Sequence, residues 1–351
     1  MAHGMAIVGY GGMGSWHHRQ IKALVPELEV MGAYDVMPEV RDKIRSRGLI
    51  SYESLDQLLQ DPAVEFVTVA TPNNFHCPIT IACLRAGKHV VCEKPAACSS
   101  AELLEMMDAA KACGRVFTVH QNRRWDKDFR IVKKIIDSNL LGSPYFIETR
   151  VQGARRVLHG WRGHKANGGG MLFDWGVHLI DQLMWMLPGK VTQVDAHLVS
   201  TYAAEVDDNL KVMMGFEGGV SAIVEVAVNC MIPEPRWHLS CTEGTAVVQN
   251  WECDGKMVRL AENQQTVWDE EIVYTAAGPT RSMAPLPREA TVECPLPAIE
   301  TDWSCFYRNV VAAAEGKEEL IVRPEQALRV LRVIECIFRS AREGVGVRCD
   351  L

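Results

Sequence analysis

Met5-Ala6-Ile7-Val8-Gly9-Tyr10-Gly11-Gly12-Met13-Gly14 is a short apolar run that breaks into a glycine turn. The next segment, Ser15–Val25, repeats its apolar residues at helical spacing, so the order is strand, turn, helix. Each glycine of the G-x-G-x-x-G pattern has a task. Gly9 makes the tight turn, Gly11 lets backbone approach a pyrophosphate, and Gly14 lets the helix pack closely on the strand. Unpaired N–H groups and the helix dipole at Gly12 and Met13 then favour phosphate.

A second strand, Glu29–Tyr34, ends at Asp35, 21 residues past Gly14, where the ribose-binding acid of a doubly wound fold is expected. A carboxylate there accepts the ribose hydroxyls and repels a 2′-phosphate. Val36 and Met37 bring no arginine to receive that phosphate, so the expected cofactor is NAD rather than NADP. The plainer alternative is that Asp35 only closes a strand before Pro38.

Helix patterns at Glu39–Gly48, Ser54–Asp61, Pro78–Ala86 and Ser99–Cys113 alternate with strand patterns at Phe66–Ala70, His89–Cys92 and Val116–His120. Such alternation predicts a parallel, doubly wound sheet. Ligands bind beyond the carboxyl ends of its strands. That rule places Thr71, Asn73 and His76 after one strand, and Glu93, Lys94 and Pro95 after the next, at the cofactor. Lys94 there either donates to the reacting oxygen or pairs with Glu93 at the surface.

Further on, Gly169–Asp181 reads Gly-Gly-Met-Leu-Phe-Asp-Trp-Gly-Val-His-Leu-Ile-Asp. In a helix, Asp174 and His178 share one face and form an acid–base pair. The preceding stretch 155–165 carries Arg155, Arg156, His159, Trp161, Arg162, His164 and Lys165, either a substrate-facing loop or an exposed basic one. Arg123, Arg124 and Trp125 carry the same two alternatives.

A chain of 351 residues has room for two domains. With 48% hydrophobic and 23% charged residues and no low-complexity tract, it has globular composition. A formal charge of −7 argues against nucleic acid as the main partner. No apolar run reaches membrane-span length and no signal-peptide pattern precedes the first strand, so the expected location is cytoplasmic and no membrane partner is expected. The twelve cysteines lack paired metal-type spacing and are expected to be reduced.

The residues Gly9–Gly14, Asp35, Thr71-Pro72-Asn73 with His76, Glu93-Lys94-Pro95 and Gly169–Asp181, in this order, resemble the Gfo/Idh/MocA oxidoreductases, a family named for glucose–fructose oxidoreductase, inositol dehydrogenase and a rhizopine-catabolism protein. The resemblance implies an α/β Rossmann domain, residues 1–122, and a substrate-binding α+β domain, residues 123–351, with a large, mostly antiparallel open sheet. It also implies a nicotinamide cofactor, a sugar or polyol substrate, a cis Lys94–Pro95 peptide, and Lys94, Asp174 and His178 as the catalytic residues.

In the second half, strand patterns at Gly142–Gln152, Val191–Val199, Asp208–Phe216, Val220–Val228, Trp237–Cys241, Thr245–Gln249, Met257–Ala261 and Thr266–Trp268 fit that sheet, and Ala276–Pro297 reads as a loop. One sheet face is expected to meet helices and the other a second copy of the chain in a homo-oligomer. A final helix, residues 324–342, is expected to pack back on the first domain.

The expected activity is hydride transfer between NAD and a secondary alcohol, with His178 as base, Asp174 binding a hydroxyl or fixing the histidine, and Lys94 polarising the oxygen. Arg124, Trp125, Arg155, Trp161, Arg162 and His164 are the further candidates for substrate contact. The alternatives are a dinucleotide-binding regulator without activity, and a cation held by Asp174, His178 and Asp181. No metal is expected.

Overall fold

The computed structural model describes residues 2–261, 272–281 and 290–351. Six parallel strands form the first sheet: β1 (His3–Val8), β2 (Leu28–Tyr34), β3 (Ile50–Ser51), β4 (Phe66–Val69), β5 (His89–Cys92) and β6 (Phe117–Val119). Their spatial order is β3-β2-β1-β4-β5-β6, so the direction of winding reverses at β1. The crevice beyond the carboxyl ends of β1 and β4 is therefore the place for a ligand.

Five helices connect these strands: α1 (Gly12–Leu24), α2 (Pro38–Ser46), α3 (Leu55–Gln60), α4 (His76–Arg85) and α5 (Ser100–Cys113). Ser54 and Ser99 cap α3 and α5, each hydroxyl accepting from the amide three residues on. β1, β4 and β5 are apolar and buried almost throughout, as strands covered on both faces must be.

After α6 (Lys127–Asp137), the chain builds a second sheet of nine strands. These are β7 (Pro144–Gln152), β8 (Val191–Val199), β9 (Asn209–Phe216), β10 (Ser221–Ala227), β11 (Trp237–Cys241), β12 (Gly244–Val248), β13 (Gly255–Leu260), β16 (Thr291–Cys294) and β17 (Val347–Arg348). All neighbours pair antiparallel except β7 and β10. A separate hairpin joins β14 (Ile272–Thr275) to β15 (Gly278–Arg281). The strand expected at Thr266–Trp268 lies outside the described residues. The stretch expected as a loop, Ala276–Pro297, instead contributes β15 and β16. β16 pairs with β13 along Thr291–Cys294, so strand pairing prevails there over the flanking prolines.

Along β9, Leu210, Val212, Met214 and Phe216 are buried while Lys211 and Met213 are exposed, the period-two signature of a sheet covered on one face. The covering helices include α7 (Val177–Met186) and α9 (Pro324–Glu343), with α8 (Ser304–Ala314) lying against α1. α9 buries Leu328, Leu331, Ile334 and Ile337 and touches β8 and α7 on one side, α5 and β6 on the other. It thereby ties the two sheets together. All twelve cysteines are free thiols, and only Cys77, Cys83, Cys92 and Cys241 are fully buried.

Candidate active site

A cavity of about 700 Å3 runs along the carboxyl ends of the first sheet and reaches the second half of the chain. At one end lie Gly9, Gly11, Gly12, Met13 and Asp35. Gly9 has a φ of +87°, a conformation that only glycine adopts without strain. A Cβ on Gly14 would collide with the Gly9 carbonyl oxygen, so that glycine serves helix packing and does not line the cavity. α1 starts at Gly12 with no side chain capping it, which leaves its first amides pointing outward. The Asp35 carboxylate is aimed by two backbone donors, Tyr10 N at 2.8 Å and Met37 N at 3.0 Å. Thr71 and Asn73 form the wall after β4, and the buried Thr71 hydroxyl has no partner among the described residues. Open glycine backbone, a helix start and an unsatisfied hydroxyl fit a dinucleotide.

The far end is built from β5 and the start of α7. The Lys94–Pro95 peptide is cis. Lys94 Nζ donates to the Asp174 backbone oxygen at 2.7 Å and to its Oδ1 at 3.0 Å. Arg162 Nε donates to the other carboxylate oxygen at 3.1 Å. Burial opposes ionisation of Asp174, but the Lys94 and Arg162 charges and hydrogen bonds outweigh it and hold the carboxyl below its usual range.

Asp174 does not hold His178. Residues Leu172–Gly176 form a π-helical turn that leads into α7, so the spacing is not that of a regular α-helix. Among the described residues the partner of His178 Nδ1 is Gln121 Oε1, at 3.2 Å. With an oxygen as neighbour, Nδ1 carries the proton and Nε2 keeps its lone pair. Burial, then the charges of Lys94 and Arg123, push the His178 pKa well below the ordinary imidazole value. The ring is therefore held neutral at the cavity wall, with the Nε2 lone pair free to take a proton.

Behind Lys94, Glu93 is buried and its Oε1 accepts from His17 at 2.7 Å and His120 at 2.9 Å, while Oε2 accepts from Lys94 N at 3.1 Å. Burial works against the Glu93 charge, yet the two histidines hold its pKa well below the carboxylate norm. Glu93 reaches the cavity wall, but its carboxylate is committed to this network. His17 passes the chain on to Tyr307 and Thr68. Asp207 supports the start of the turn that carries Asp174, its Oδ2 accepting from Leu172 N at 2.7 Å. Gly170, at φ +108°, leaves the room that this carboxylate occupies.

Of the expected contacts, His76, Arg124, Trp125 and His164 are not at the cavity. His76 is fully buried, and its two ring nitrogens are taken by the carbonyls of Pro95 and Thr71 at 2.8 and 3.0 Å, so it braces the loop and offers nothing to a cofactor. Arg124 is fully buried in a two-bond pair with Asp181, at 2.7 and 2.6 Å. That pair also removes Asp181 from any cation shared with Asp174 and His178. Trp125 packs edge-on against Phe306. The neighbouring Arg123 faces the cavity instead, its guanidinium 4.1 Å from the Trp175 ring centre. Trp161 and Arg162 also line it, Arg155 lines an adjoining cavity, and the exposed His164 pairs with Glu205 outside both.

Gln121, His17, His120 and Asp207 were not singled out from sequence. Gln121 had a usable signal, since it follows the end of β6 as Lys94 follows β5. The others depend on partners 27 to 290 residues away along the chain, which no local pattern reveals.

Residues 3–121 match the oxidoreductase family with the NAD-binding Rossmann fold, and residues 129–247 match the GFO/IDH/MocA C-terminal domain. An uncharacterised oxidoreductase of Schizosaccharomyces pombe is 34% identical, with 95% of each chain covered. A scyllo-inositol 2-dehydrogenase (NADP(+)) of Bacillus subtilis is 25% identical over 97% of this chain and 94% of its own. The crystal structure of an NAD-binding protein from Listeria innocua, 40% identical, superposes with a TM-score of 0.94 over 99% of both chains. With family matches in both halves and a relative of this identity along nearly its whole length, the chain belongs to the Gfo/Idh/MocA family of oxidoreductases.

Proposed function

We propose that this protein is a dehydrogenase that oxidises a secondary alcohol of a sugar, glycoside or cyclic polyol, or reduces the matching ketone, with NAD as its preferred cofactor. The observation that carries the reading is His178 Nε2, which has no partner among the described residues and sits on the cavity wall that also bears Lys94. The glycine turn and Asp35 would hold the pyrophosphate and ribose; the nicotinamide, when bound, supplies the hydride acceptor or donor.

In oxidation, His178 Nε2 takes the hydroxyl proton while Lys94 Nζ donates to the same oxygen and stabilises the charge that develops there. Asp174 keeps the ammonium aimed and accepts from a neighbouring substrate hydroxyl. Reduction runs the same groups in reverse. The inositol dehydrogenase among the relatives supports a cyclic polyol as substrate class, although that enzyme is named for NADP(+). Asp35 supports NAD here, because its fixed carboxylate repels a 2′-phosphate.

Purified protein mixed with NAD or NADP and a panel of inositols, free sugars and glycosides, followed by absorbance of the reduced cofactor, tests the reading. Turnover with NAD is expected. Tight NAD binding with no turnover on any member would return the chain to the regulator alternative.

A further inference from the structure

A second cavity, of about 440 Å3, opens beside the first and shares Arg162, Asp174 and Trp175 with it. A molecule whose reacting carbon sits at His178 therefore has somewhere to extend. Val151, Leu158, Met171, Val226 and Val228 make much of its wall apolar, with few groups suited to matching a row of hydroxyls.

The charges there do not balance. Asp174 is the acidic residue of the lining, and Lys94 and Arg162 already hold both its oxygens. Arg155 and His159 line the same cavity, and neither side chain has a hydrogen bond or ion pair among the described residues. Arg162 engages Asp174 through its Nε, and its terminal nitrogens have no acceptor among the described residues. The acids near Gln152, Glu225 and Glu234, are themselves paired with Arg150. The exposed Arg155 and half-buried Arg162, at the mouth of a partly apolar hollow with their terminal donors open to a ligand, match a planar or tetrahedral oxyanion best.

We infer that the second cavity is a subsite for an acidic group, a carboxylate or phosphate carried by the sugar or polyol; this rests on the dehydrogenase reading above. Arg155 and the terminal nitrogens of Arg162 receive the oxyanion, and the apolar wall receives the carbon skeleton between it and the reacting centre. A neutral inositol fills only the first cavity and leaves these donors to water.

The test compares matched probes: glucose, glucuronate and glucose 6-phosphate. With NAD, KM for one of the acids is expected to be about ten-fold or more below that of glucose, the size of a charge-assisted hydrogen bond, and the gap narrows as salt rises. The better acid distinguishes carboxylate from phosphate. R155Q draws the acid-to-neutral ratio towards one. A binding arm titrates the NADH-loaded protein with the same three probes by tryptophan fluorescence, reading Trp175 in the wall. Tighter acid binding that R155Q abolishes supports the subsite even where no sugar is oxidised, an outcome that would sink only the dehydrogenase reading. Equal KM and equal binding of acid and neutral probes, or an unchanged ratio in R155Q, overturns the inference.

Discussion

Lys94 and Asp174, 80 residues apart, meet through two hydrogen bonds from one ammonium, at 2.7 Å to the Asp174 carbonyl and 3.0 Å to its carboxylate. One partner follows a strand of the first sheet and the other begins the helix under the second. With side chains only 14% and 16% exposed, the pair is shielded from water and its geometry is fixed from both sides.

Because Asp174 acts in part by aiming Lys94, their contributions should not add. K94A is expected to lower kcat by about a hundred-fold or more, within the range of a positioned acid–base group, with little change in NAD affinity. D174N should cost less, and the double variant should be no worse than K94A. Steady-state rates and a cofactor titration for the three variants check this; additive losses would separate the two roles.

His178 gives a pH prediction. Burial, Lys94 and Arg123 place its pKa well below the ordinary value, so the base is already neutral at pH 6.5. The acid limb of kcat/KM for alcohol oxidation should therefore lie below that pH. Q121E puts a carboxylate where the Gln121 amide oxygen now meets Nδ1, which favours the imidazolium and should move the limb upward. A limb that stays put in Q121E would detach His178 from the proton transfer.

The glycine turn, the alternating helices and the period-two strands were legible in sequence because each depends on neighbours within one element. The site was legible only where the strand-end rule applies. Lys94, Thr71 and Asn73 follow it to the cavity, but His76 obeys the same rule and is consumed by two carbonyls. Arg124 read as a loop cation until Asp181, 57 residues on, proved to bury it. Asp174 and His178 do line one cavity, but Lys94 and Arg162 hold the first and Gln121 the second, partners from distant segments that a four-residue spacing cannot announce.

Cofactor choice should be movable at Asp35. Its two backbone donors aim a negative charge into the cavity, and like charges brought together cost several kcal/mol. Arg41 waits nearby, donating to the Asp35 carbonyl at 3.3 Å. D35S is expected to raise the NADP-to-NAD ratio of kcat/KM by about ten- to a hundred-fold, given that cost. Ratios measured side by side decide it, and an unchanged ratio would remove Asp35 from the ribose site.

Asp207, which caps the turn carrying Asp174, gives a stability prediction of definite sign. Burial raises its pKa to about 6, against the pull of the Leu172 amide. A carboxyl with a higher pKa folded than unfolded binds its proton more tightly in the fold. The stability this adds is complete below about pH 4, and it is lost as pH rises through 6. Above that pH the buried charge costs about 3 kcal/mol, the energy of a shift of roughly two units. D207N keeps the shape and one acceptor and has nothing to ionise. Its Tm should therefore gain several degrees on the wild type between pH 4.5 and 7.5, because only the wild type takes on a buried charge over that interval. Melting curves of the two proteins across that range provide the measurement. A Tm difference that is flat, or that moves against D207N as pH rises, would mean that the helix amides stabilise the carboxylate more than burial penalises it.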